Sequence, residues 1–142
     1  MFTGTINIVL KQIENQLIEK ELLLKNLQNF TVSSVTGYSC NGDLIGFQPK
    51  RYTYIVPNYQ YVFKIKLKLV NSISDDISVL KVNNIVSIQG PLLANNPNRT
   101  TTEGTFDFTM DSSTLLIEVG SYNTEPNWCS FSGGFEITLY YK

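Results

Sequence analysis

The side chains that could do chemistry in this sequence are carboxylates and aromatic rings. Asp43, Asp75, Asp76, Glu103, Asp107, Asp111, Glu118, Glu125 and Glu136 are the acids that follow residue 30. Glycoside hydrolysis needs two carboxyl groups facing one cleft at a defined separation, one of them with a raised pKa. No spacing among these nine selects such a pair, and nearly all are expected to be solvated. Asp75-Asp76 falls in an expected loop after Asn71-Ser72 and could offer oxygens to a hard cation. Adjacent acids at a turn are more often simply exposed, which is the expectation here. The chain contains no His, which removes the Ser-His-Asp and Cys-His triads, His-containing zinc sites and an imidazole base. The expectation is a protein that is not an enzyme, with no metal and no cofactor.

Rings are the better signal, because a flat aromatic face stacks on the apolar face of a pyranose while neighbouring amides and carboxylates bond its hydroxyls. Trp128 and Tyr122 lie in one expected loop, Ser121 to Cys129, with Asn123, Glu125 and Asn127 beside them. They form a candidate rim for ligand binding. Tyr52 and Tyr54 share one face of an expected strand, with Arg51 and Thr53 on the other, and form a second candidate platform. The competing expectation for each ring is a place in the core or in an intersubunit contact. Lys64, Lys66 and Lys68 make a basic stripe on one strand face, read as a solvated sheet face or a lysine-protected edge ahead of an acidic-ligand site.

These residues need a scaffold, and the chain divides near Phe30. Ile6 to Leu27 has no Pro, Gly or aromatic residue, and good helix formers dominate its second half. It reads as a helix about 35 Å long at 1.5 Å per residue, capped at Thr3 or Thr5 and left near Asn29. Ile6, Leu10, Ile13, Leu17, Leu24 and Leu27 recur in steps of four and three, interrupted at Lys20. That is a heptad seam with Leu at a and Ile at d, a choice that favours assemblies above the parallel dimer. The expectation is a parallel trimeric coiled coil. Ile18, Leu22 and Leu23, off the seam, leave some docking on the chain's own sheet as the alternative.

After Phe30 the pattern turns to period two, with Gly, Pro and Asn between β-branched and aromatic runs. Strands are expected at Thr31–Gly37, Lys50–Val56, Tyr61–Leu69, Ser78–Val82, Ile85–Gln89, Gly104–Met110, Thr114–Val119 and Gly134–Tyr141. In the third, Tyr61, Phe63, Ile65, Leu67 and Leu69 form the apolar face. Asn83-Asn84 suits a two-residue hairpin turn, and Leu92 to Thr102 an exposed loop. Eight short strands point to an antiparallel β-sandwich or jelly roll, so the fold class is mainly β, with residues 1–29 the helix and 30–142 the sandwich domain.

Composition sets the remaining bounds. The chain has 142 residues, 11 Lys+Arg against 12 Asp+Glu and a formal net charge of -1, which gives no basic footprint for nucleic acid. No stretch approaches the roughly 20 apolar residues of a membrane span, and no signal-peptide pattern opens the sequence, so a soluble, unprocessed chain is expected. Cys40 and Cys129 stand far apart without a CxxC grouping and are expected as free thiols rather than as a disulfide.

The runs VPNYQYVFKIKLKL, GTFDFTMDSSTLLIEVG and SFSGGFEITLYYK resemble the galactose-binding-like jelly-roll carbohydrate-binding modules over about residues 31–142. Many such modules open the last strand with Asp-Asn or Asp-Asp, linked to a structural calcium; this chain has Gly133-Gly134-Phe135-Glu136 instead. A helix followed by a jelly roll also resembles, over the whole chain, the small trimeric head-fibre, tail-fibre and receptor-binding proteins of bacteriophages. Together these resemblances imply a homotrimeric virion subunit, attached to other virion proteins through its N-terminus and displaying a glycan-binding domain to a cell surface. The alternatives are a monomeric carbohydrate-binding module, extracellular or at a cell surface, with the helix on its own sheet, and a structural virion piece with no ligand.

Overall fold

A computed structural model describes residues 3–26, 29–93 and 95–142, with side chains of the helix described from 5 to 20. Helix α1 spans Thr3–Asn26. Eight strands follow: β1 (Asn29–Ser39), β2 (Gly46–Ile55), β3 (Val62–Ser74), β4 (Ile77–Val82), β5 (Val86–Gln89), β6 (Thr100–Asp107), β7 (Thr114–Asn123) and β8 (Ser130–Tyr141). All eight expected strands are present. They form two four-stranded antiparallel sheets in the orders β1-β8-β3-β6 and β2-β7-β4-β5. Successive strands cross between the sheets except at the β4–β5 hairpin, the two-sheet wrapping of a jelly roll.

Alternation explains the packing. Ile65, Leu67 and Leu69 of β3 and Phe131, Phe135, Ile137 and Leu139 of β8 project from one sheet; Leu80 and Val82 of β4 and Leu115, Ile117 and Val119 of β7 meet them from the other, all buried. Each such side chain contributes about 1.5–3 kcal/mol by leaving water. Towards one end of the sandwich the inward positions become polar: Ser72 and Ser74 on β3, Ser78 on β4, Ser121 and Asn123 on β7, with Asp76 just before β4. Asp76 is therefore buried rather than exposed at a turn, because it continues the inward series Val82, Leu80, Ser78.

Several local expectations shift. The phase of β3 changes at its start, since a register irregularity lies between Val62 and Lys64; Val62 is buried, Phe63 only half-buried, and Tyr61 belongs to a 3-10 turn, Tyr59–Tyr61. β6 begins at Thr100, within the stretch expected as loop, and β7 runs on to Asn123. The hairpin turn is as read: Asn83 and Asn84 have φ of 51° and 55°, and Ile85 N–H donates to Val82 O at 3.0 Å. The mirror-image turn needs positive φ at both positions, which Asn tolerates.

β3 is an inner strand of its sheet, so its lysines protect no edge. They face acids instead: Lys64 pairs in register with Asp107, Lys68 with Glu103 and Glu136, and Lys66 Nζ lies 3.5 Å from Glu103 Oε2. Each lysine of the stripe thus has a cross-strand acid for a neighbour or ion partner, the Lys66–Glu103 contact being the ion pair.

Helix α1 starts at Thr3, which places Thr5 inside it, and Asn29 already belongs to β1. Residues 5–20 are exposed on every face. Ile6, Leu10, Ile13 and Leu17 are about half exposed, as are Ile8, Val9 and Ile18. The Lys20 ammonium stands 5.0 Å from the centre of the Tyr61 ring, a cation–π contact between helix and sandwich. The side chains of Leu22, Leu23 and Leu24, and all of Leu27, lie outside the described residues.

Candidate functional site

Two loops meet at the polar end of the sandwich, the β1–β2 loop (40–45) and the β7–β8 loop (124–129). Cys40 and Cys129 join them as a disulfide with Cα atoms 4.9 Å apart, which corrects the expectation of free thiols. Sequence separation hides this pairing: β1 and β8 are neighbours, and Ser39 pairs with Ser130 at the end of their ladder, so the next residues outward face each other. Backbone bonds reinforce the join, Cys40 N–H to Cys129 O at 3.0 Å and Asn127 N–H to Gly42 O at 2.9 Å. A Cβ on Gly42 would collide with the Asn127 carbonyl, so only glycine allows this approach.

The 40–45 loop is held from inside as well. Gln48 Nε2 donates to Asn41 O (2.8 Å) and Leu44 O (3.2 Å), its Oε1 accepts from Asn41 N–H (3.0 Å), and Asn41 Oδ1 accepts from Asp43 N–H (3.0 Å). Asn123, fully buried, donates from Nδ2 to Gly42 O (3.1 Å) and Leu44 O (2.7 Å). Asn123 thus braces the loop from within through its amide nitrogen.

Trp128 stands on this clamped platform with 88% of its surface exposed. It borders a groove of about 690 Å³ whose other walls include Gly42, Asp43, Asp75, Pro126 and Asn127. A second depression of about 460 Å³ shares Ser39, Asp75 and Ser130 with it and continues past Gly37 and Leu93. The result is an elongated trough with an indole at one end and two carboxylates along it. Among the described residues no Lys or Arg lines either part. Among the described residues no group of three or more His, Cys, Asp or Glu is placed to hold a metal ion.

The other sequence candidates go elsewhere. Tyr122 lies on β7, paired with Phe47 and Ile77, and is 42% exposed; it does not line the groove. Tyr52 packs edge-on against Phe135, ring centres 5.1 Å apart, and Tyr54 also packs against the core from the inner side of β2. Arg51, on the outer side, reaches Glu118 at 3.1 Å. Asp43 and Asp75 were legible as acids, yet no sequence spacing joined them to Trp128; only the clamp between β1 and β8 does so.

No protein-family model matches the sequence, and no curated protein matches it. Among solved structures, a segment of dimeric latent PorU from Porphyromonas gingivalis superposes with a TM-score of 0.54 at 8% identity, over 81% of this chain and 13% of that one. At that identity the likeness is one of fold, and this chain spans about an eighth of the PorU chain's length. The CBM36-1 domain of a multidomain xylanase from the hindgut metagenome of Trinervitermes trinervoides gives 0.44 at 15% identity, covering 77% of this chain and 95% of its own. A CBM36 carbohydrate-binding module in complex with calcium and xylotriose gives 0.42 at 13%, with 76% and 98% covered.

Proposed function

We propose that this protein is a non-catalytic glycan-binding module, and that the trough beside Trp128 is its binding site. The observation that carries the reading is the chain's single Trp, 88% exposed on a loop immobilised at the next residue by the disulfide. Leaving an indole in water is unfavourable unless something covers it, and immobilising it lowers the entropy lost when a ligand does. Asp43, Asp75 and Asn127 supply acceptors and an amide for sugar hydroxyls beside the stacked ring. Two adjoining depressions of about 690 and 460 Å³ offer room for more than one sugar residue. Their carboxylates favour neutral or amino sugars and repel uronic or sulfated ones. A disulfide forms in oxidising compartments, which fits action outside the cell.

The helix gives the proposal its second part. Seam residues Ile6, Leu10, Ile13 and Leu17 are uncovered within one chain, and parallel copies of the same helix are the occupants their heptad spacing specifies. A homotrimer would multiply a weak sugar site by avidity. The virion setting suggested by helix and jelly roll together rests on that same seam.

Retention on immobilised neutral polysaccharides tests the site. The full chain is expected to be retained, with Trp128→Ala washing through while its thermal melt stays within a degree or two of the parent, since the exposed indole packs on little. Equal retention of the variant removes the trough from the account.

A further inference from the structure

Four strands end the two sheets, β1 and β6 in one and β2 and β5 in the other. A strand edge offers a row of unpaired N–H and C=O groups, and proteins blunt such rows with charges, proline, bulges or short length. β2 carries Pro49, Lys50 and Arg51, and β5 has only four residues. β6 carries Glu103 and Asp107, and its pairing with β3 contains a register shift. β1 has none of these devices. Its 11 residues include no charge and no proline, and they pair with β8 from Asn29 to Ser39 without a shift.

The free row can be assigned residue by residue. Cys40 N–H donates to Cys129 O, which continues the register of Ser39 with Ser130. By the alternation of an antiparallel ladder, the even-numbered residues of β1 therefore bond to β8. Thr31, Ser33, Val35 and Gly37 turn their N–H and C=O groups the other way. Among the described residues no hydrogen bond reaches those groups, and all four residues are exposed, Val35 to 85%.

The outer face beside this row has a hollow of about 350 Å³, with Gly134 in register between Val35 and Val70 and with Ser132 and Arg99 on its wall. Arg99 is held in place by backbone and hydroxyl oxygens: Nη1 donates to Asn71 O at 3.0 Å and Nη2 to Ser132 Oγ at 3.1 Å. It has no acid partner, since the ion pairs among the described residues are Arg51–Glu118 and Lys66–Glu103. Glu136, also on that wall, pairs in register with Lys68. Gly37 pairs with Ser132, and a Cβ on Gly37 would stand 3.9 Å from Ser132 Oγ. The missing side chain thus opens a way across β1 to the guanidinium.

We propose that the free edge of β1 receives an extended segment of a partner protein as a fifth strand of the β1-β8-β3-β6 sheet, with a carboxylate side chain opposite Gly37 that reaches across it to Arg99. Main-chain bonds to Thr31, Ser33, Val35 and Gly37 supply affinity without regard to sequence. The guanidinium adds the selection, because a charge-assisted bond to a carboxylate is about twice as strong as a neutral one. A second copy of this chain fits less well: β1 has no acid to offer, so edge-to-edge pairing of two β1 strands leaves Arg99 unmet.

Fluorescence anisotropy tests the edge with a labelled short peptide of alternating Thr and Val carrying one central Glu, and with its Gln counterpart. The full chain is expected to bind the Glu peptide, and the Gln peptide about tenfold more weakly. Arg99→Gln is expected to lose the distinction between the two peptides, the coupling that a direct contact requires. Val35→Pro removes an N–H from the free row and none from the β8 ladder; it is expected to abolish binding while the thermal melt shows the fold retained. Amide exchange in the parent is a readout that stands if Val35→Pro does not fold: the Glu peptide is expected to slow exchange at Thr31, Ser33, Val35 and Gly37 and to leave the β2 and β6 edges unchanged. Absence of binding to the parent overturns the proposal. So does equal binding of the two peptides, undiminished binding by a folded Val35→Pro, or protection at another edge. A parent mass that rises with concentration, with Val35→Pro cancelling the rise, assigns the edge to a second copy and overturns the partner segment.

Discussion

At the scale of the residue, Tyr38 shows how one hydroxyl can hold two strands. It lies on the inner side of β1 and reaches across to the other sheet, donating to Gln48 O on β2 and accepting from Ser121 N–H on β7 at 3.2 Å. Gly120 exists to admit it, because a Cβ at 120 would occupy the place of the hydroxyl. Burial raises the Tyr38 phenol above its usual 10.0, partly offset by the Ser121 N–H, and burial likewise raises Tyr141, whose hydroxyl donates to Pro57 O at 2.7 Å. Both phenols therefore stay protonated in the fold at a pH where the unfolded chain has begun to ionise. Their contribution is fully present below pH about 10 and is lost as pH rises through the folded values. Unfolding free energy measured by denaturant across the alkaline range is expected to fall with pH, and Tyr38→Phe/Tyr141→Phe to flatten that fall. An unchanged slope in the double variant would place the alkaline sensitivity elsewhere.

At the scale of the element, α1 and the strands obey different logics. The strands are stabilised by what they bury; residues 5–20 of α1 bury almost nothing in the single chain, and a helix this exposed gains little from propensity alone. Substituting Leu10→Glu/Leu17→Glu places charges on the seam without touching the sandwich. Light scattering is expected to give three chains for the parent and one for the variant, with the β-sheet melt unchanged. A parent that is already monomeric would remove the coiled coil. Strand patterns were the most legible part of the sequence, because alternation fixes which side of a residue meets the core: Ile65, Leu67 and Leu69 were read inward and are. What alternation cannot show is a register change. The irregularity after Val62 reversed the expected places of Val62 and Phe63, and the continuation of β7 to Asn123 turned an expected rim residue into a buried brace. Trp128 could be singled out by type alone, but its neighbours Asp43 and Asp75 come from loops 53 or more residues away in the chain, joined by a β1–β8 pairing that no local pattern encodes.

At the scale of the whole molecule, the Cys40–Cys129 bridge closes the longest loop the chain makes beside its site, a sequence separation of 89. Chain-entropy arguments assign a closure of that length about 4–5 kcal/mol, less whatever order the unfolded chain retains. The bridge does a second thing that the entropy does not count: it fixes Trp128 against the β1–β2 loop, where the Asn127 and Cys40 backbone bonds add only local strength. Removing it should therefore act on stability and on recognition to different degrees. In Cys40→Ser/Cys129→Ser the unfolding midpoint is expected to fall substantially. At temperatures well below that midpoint, where the sandwich is still folded by its apolar core, retention on polysaccharide is expected to weaken several-fold because the indole must be ordered on binding. Retention that stays at the parent's level in the folded variant would mean that the Gly42–Asn127 apposition alone presents the ring, and that the bridge serves stability only.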